Sequence, residues 1–76
     1  MPSNETEVCE IASGRRTLNV RTAPSTSAAL HELLSPGEFL EVVDRQVGDD
    51  NYVWYALDTG GWIRSDIVEE FGECET

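Results

Sequence analysis

His31 is the single histidine of the chain, and its two cysteines, Cys9 and Cys74, lie near opposite ends. Nucleophilic catalysis needs a base within hydrogen-bond reach of the attacking group. His31 sits among leucines with no cysteine or serine constellation near it in sequence, so a surface or packing role outweighs a catalytic one. One histidine and two cysteines without a Cys-x-x-Cys pair do not make a zinc site. Asp44, Asp49 and Asp50 gather around one loop, where they could face a hard cation. The calcium-loop spacing and its bidentate glutamate are missing, which leaves a solvated hairpin tip as the default. The sequence therefore predicts no catalysis, no metal and no cofactor.

The cysteines have a better use. A chain of 76 residues makes one small domain. A core of that size supplies only ~3–5 kcal/mol, so a covalent staple is expected. A Cys9–Cys74 disulfide would close almost the whole chain into one loop and would persist only in an oxidising compartment. Two separate thiols are the alternative, because terminal cysteines stand apart unless the fold joins the ends.

Fifteen acidic residues against five arginines give a net charge of -10. This balance disfavours nucleic acid and anionic membrane surfaces, which select basic patches. No apolar run approaches a membrane span and no signal-peptide pattern is present, so an exported parent would have its signal removed or encoded elsewhere.

The elements that would position these groups are short. Residues 1–7 are polar and unpatterned, a disordered or linker lead-in to a single domain over 8–76. Residues 8–11 alternate weakly as a first strand, and residues 18–22 alternate clearly, with Leu18 and Val20 on one face and Asn19 and Arg21 on the other. Ala23-Pro24-Ser25 ends that pairing, since proline lacks an amide hydrogen. Residues 28–34 are too short for an isolated helix before Ser35-Pro36-Gly37 stops them, and predict a strand with Leu30 and Leu34 inward. Residues 38–45 place Leu40 and Val42 on one face, and Phe39, Glu41 and Val43 on the other. A hairpin loop at 47–51 leads to an aromatic strand at 52–57, then a Gly-Gly turn and the extended Trp62-Ile63-Arg64. Ser65-Asp66-Ile67 suits one 3₁₀ turn, and residues 68–71 would close the fold. Five to seven short strands without a convincing helix argue a small all-β barrel.

Three landmarks stand in order: Leu18-Asn19-Val20-Arg21 before Ala23-Pro24-Ser25, Leu34-Ser35-Pro36-Gly37 before Leu40 and Val42, and Trp54-Tyr55-Ala56-Leu57 before Gly61-Trp62-Ile63. The set resembles the bacterial SH3-like domain family over residues 17–71, with Ala23 in place of the common glycine and Leu57 in place of valine. The resemblance implies a partly open SH3-like barrel whose first and last strands are neighbours, which would bring Cys9 to Cys74. It also puts Leu57 in the core. By alternation Tyr52 and Trp54 then face outward as a partly exposed aromatic platform, the alternative being that Trp54 and Trp62 cap the barrel ends. In SH3-like folds a groove lies between the loop after the Leu18 strand and the hairpin loop near Asp49 and Asp50, where acids would favour a ligand carrying amines. Asn19 and Arg21 would form one wall. Arg21 would meet either a ligand carboxylate or an aromatic ring or acid of the barrel itself.

Two functions follow as expectations. The first is a non-catalytic, exported binding module that targets a parent protein to cell-wall peptides or peptidoglycan, as domains resembling this one do. The second is a structural spacer, or a module that docks on a neighbouring domain or on its own copy through exposed Phe39 and Val43.

Overall fold

The computed structural model describes residues 8–74, so the lead-in at 1–7 lies outside the described residues. Seven strands form one antiparallel sheet: β1 Cys9–Ala12, β2 Leu18–Arg21, β3 Leu30–Leu34, β4 Phe39–Val47, β5 Val53–Leu57, β6 Trp62–Arg64 and β7 Glu69–Gly72. Their order across the sheet is β3-β2-β6-β5-β4-β1-β7. One 3₁₀ turn, Ser65–Ile67, joins β6 to β7, and there is no α-helix among the described residues.

The period of two decides what each strand buries. Ile11, Val20, Leu34, Leu57 and Ile63 are fully buried, and Leu18 and Tyr55 complete the cluster. Leu40 and Val42 pack against it from β4, the inward face that their alternation predicts. These residues come from nearly every strand, including β3 at one sheet edge, so the sheet must curl to bring them to a common core. Two bulges supply bend, one between Val42 and Asp44 against β5, the other where β3 pairs with Val20 and Arg21. Each fully buried aliphatic side chain contributes about 1.5–3 kcal/mol relative to exposure.

The second bulge corrects one expectation. Val20 pairs with Glu32, but Arg21 pairs with Leu30, so His31 is the extra residue. A slip of one residue turns a side chain to the other face. Leu34 stays inward, and Leu30 stands 53% exposed on the same outer side as Arg21. The displaced His31 places its Nε2 3.1 Å from the Thr59 carbonyl oxygen, a packing contact on an exposed edge.

At the other edge the chain ends meet. β1 lies between β4 and β7, with Cys9 opposite both Val42 and Gly72. Cys9 and Cys74 form the disulfide, their Cα atoms 4.7 Å apart. Below them the Tyr55 hydroxyl donates to Glu70 Oε2 at 2.8 Å, tying β5 to β7. The Ser35-Pro36-Gly37 turn closes as its residues require: Glu38 N donates to the Ser35 carbonyl at 3.1 Å, and Gly37 takes the positive φ of 88°.

Candidate functional site

Alternation along three neighbouring strands builds one outer face. Ile63 goes into the core, so Trp62 and Arg64 on either side of it face outward. Trp62 pairs with Arg21 and Ala56, and Arg64 pairs with Trp54. Asn19 lies two residues from Arg21 on the same side of β2. A pocket of about 220 Å³ opens there, lined by Thr17, Leu18, Asn19, Arg21, Thr26, Trp54, Arg64 and Ile67.

Trp54 is 2% exposed, so it is not the exposed half of an aromatic platform. Tyr55 and Leu57 enter the core, and on the outer face of β5 Trp54 is covered where the loop at Gly48 meets the loop at Pro24. Gly48 marks the closure. A Cβ at this position would stand 2.6 Å from the Pro24 carbonyl oxygen and 2.6 Å from Trp54 Nε1. Ser25 Oγ donates to Asp49 Oδ2 at 3.2 Å across the same junction. The two loops expected to flank a groove therefore touch each other, and the opening lies instead between Asn19, Thr26 and Arg64.

A polar frame braces this pocket. Trp54 Nε1 and the Tyr52 backbone N–H both donate to Asp50 Oδ1 at 3.1 Å. Arg64 Nη1 approaches Asp50 Oδ2 at 3.4 Å, and its Nε donates to Asp66 Oδ1 at 2.6 Å. The Arg64 guanidinium also lies 4.4 Å from the centre of the Tyr52 ring, a cation–π contact. Partial withdrawal from water pushes the Asp50 carboxyl upward, but the hydrogen bonds from Trp54, Tyr52 and Arg64 together hold it below its ordinary value. For Arg64 the bond to Asp66 raises the guanidinium above its ordinary value, against some desolvation and with help from Asp50.

Of the residues singled out from sequence, Asn19, Arg21 and Trp54 line the pocket. Tyr52, 46% exposed, and Asp50 stand behind it and hold Arg64. Asp49 is engaged by Ser25 and does not line it. The acids therefore do not form the lining expected to attract amines; the charged side chains that line the pocket are Arg21 and Arg64. Arg21 donates from Nη1 to the Ala28 carbonyl at 3.1 Å, a backbone partner rather than the acid or ring expected for it. Sequence reasoning missed Thr17, Thr26, Arg64 and Ile67. A signal for Arg64 existed: it stands two residues after Trp62, so alternation puts it on the same face.

Asp44 Oδ1 accepts from the Arg45 backbone N–H, so Asp44, Asp49 and Asp50 each bond to a different group. Among the described residues no helix is long and apolar enough to cross a membrane. No curated protein and no solved structure matches the chain. The family model for the bacterial SH3 domain matches residues 16–69, which include β2 through β6 and every residue lining the pocket, and the chain belongs to that family.

Proposed function

We propose that this domain is a non-catalytic, exported binding module that holds its parent protein to cell-wall peptides or another extended peptide. The observation that carries the reading is the braced pocket on the outer face. Trp54, almost fully buried, lies at its base, and the hydrogen-bonding side chains of Asn19, Thr17 and Thr26 line it. A concave opening with a few convergent polar groups is the form of a small-ligand site. No histidine, cysteine or carboxylate lines it, so the threonine hydroxyls there have no general base beside them. Family membership supports a binding role, and the disulfide fits export to an oxidising compartment.

The test is retention of the labelled protein by insoluble sacculi, with soluble cell-wall peptides titrated into the ¹⁵N-labelled domain. Retention together with shifts at Trp54 and Thr26 is expected. Failure of both removes the cell-wall reading.

A second reading rests on a different face. Phe39 and Phe71 meet edge to face with ring centres 5.2 Å apart, both exposed, and Val43 is exposed further along β4. Exposed apolar groups so placed favour docking to a neighbouring domain or a second copy. Sedimentation over a wide concentration range separates the two: a strict monomer removes self-association.

A further inference from the structure

We infer that the pocket on the outer face takes a carboxylate, and that Arg21 is the group that binds it; this rests on the peptide-binding reading and names the chemistry of its ligand. The chain carries only five arginines within a net charge of -10, yet two of them line this one opening. They do different work. Arg64 is neutralised by Asp50 and Asp66 and stacked on Tyr52, so it is a fixed wall. Arg21 has no carboxylate within ion-pair distance among the described residues; every ion pair of the described residues belongs to Arg64.

A half-buried guanidinium without a counter-charge is a binding group in want of an anion. The Ala28 carbonyl occupies one N–H of Arg21 and fixes the direction of the rest. The guanidinium fork matches a carboxylate in two parallel hydrogen bonds. The indole N–H of Trp54 is already given to Asp50, so the tryptophan adds no donor to the pocket. The side chains of Asn19, Thr17 and Thr26 hydrogen-bond to no other described residue. They suit the peptide groups next to a terminal carboxylate.

The overall charge narrows the ligand further. A field from a net charge of -10 repels a polyanion approaching from solution. A single carboxylate on an otherwise neutral peptide meets little of that repulsion, because exposed charges farther away than about 8 Å are screened at physiological salt. The occupant is therefore an otherwise neutral peptide with a free carboxylate end.

The experiment titrates the ¹⁵N-labelled, disulfide-bonded domain with N-acetyl-alanyl-alanine, with the same dipeptide as its C-terminal amide, and with inorganic phosphate. The free acid is expected to shift the Arg21 Nε–H, the Trp54 indole N–H and the Thr26 amide. The amide and phosphate are expected to leave them in place. Arg21→Gln should weaken the acid by about tenfold or more, the loss of one charge-assisted pair, with the spectrum still dispersed. Arg21→Lys, which keeps the charge but not the fork, should recover only part of the affinity. Equal response to acid and amide, an equal response to phosphate, no response to the acid, or undiminished affinity in Arg21→Gln each overturns the assignment. The acid-against-amide comparison decides on the wild-type protein alone if a variant does not fold. Sacculi retention is scored in parallel. If sacculi hold the wild type while the acid leaves the pocket unshifted, the carboxylate assignment fails and the cell-wall reading stands. If the acid binds and sacculi do not retain the protein, the reverse holds.

Discussion

Trp54 Nε1 donates to Asp50 Oδ1 across 3.1 Å, and this bond fastens the floor of the pocket to the tip of the β4–β5 hairpin. Asp50 accepts from the Tyr52 backbone as well and faces Arg64, so its charge is what the frame is built around. A carboxyl held below its ordinary 3.8 in the folded state contributes stability that is fully present above that value. The contribution is lost as the pH falls through the lower folded value. The urea midpoint of the wild type should therefore drop on the acid side of 3.8, and Asp50→Asn should lose that part of the drop. The Trp54 indole proton, followed by NMR through the same titration, should move with it. Parallel acid-side slopes in the two proteins would remove Asp50 as the source.

Gly48→Ala tests the closure of the two loops. The new methyl would stand 2.6 Å from a backbone oxygen, which cannot rotate away. Overpacking of this kind costs about 1–3 kcal/mol. Urea unfolding should show that loss, and iodide quenching should show a Trp54 newly open to solvent. Unchanged stability with a still-protected indole would mean that the loop at Pro24 shifts freely.

Leu30 and Leu34 lie on the same strand and should respond oppositely. Leu34 is fully buried, so Leu34→Ala should cost about 2–5 kcal/mol. Leu30 is turned out by the bulge at His31, and Leu30→Ala should stay within about 0.5 kcal/mol. Equal losses at the two positions would place Leu30 back in the core and contradict the bulge.

Reduction of Cys9–Cys74, or Cys9→Ser with Cys74→Ser, should lower the stability by about 3–5 kcal/mol, since the bond closes a loop of 65 residues. Denaturation with and without reductant measures it. Alkylation of the non-reduced protein should label neither cysteine. Two labelled thiols would remove both the staple and the argument for export.

What the sequence made legible was whatever a period of two controls on an uninterrupted strand. Leu18 and Val20, Leu40 and Val42, and Leu57 face the core as their spacing predicts, and the ends join at Cys9 and Cys74 as the family resemblance implies. Leu30 went astray because a single bulged residue inverts the face, and nothing in Ala-Ala-Leu-His-Glu announces a bulge. Trp54 went astray because alternation says which side of a strand a residue takes, and not whether a distant loop folds over that side. Alternation puts Arg64 on the face of Trp62, but its partners Asp50 and Tyr52 reach it only through the hairpin, which a strand of three residues does not reveal.

The bridge at the β1–β7 edge has a mechanical consequence. Cys9 and Cys74 are bonded, so tension applied to the chain on either side of the domain passes through two sulfur atoms and bypasses the strands. The 65-residue span between them, about 220 Å at full extension, cannot be drawn out while the bond is intact. A parent protein tethered to a moving or expanding surface could be pulled through this domain without unfolding it, and the pocket would keep its shape under load.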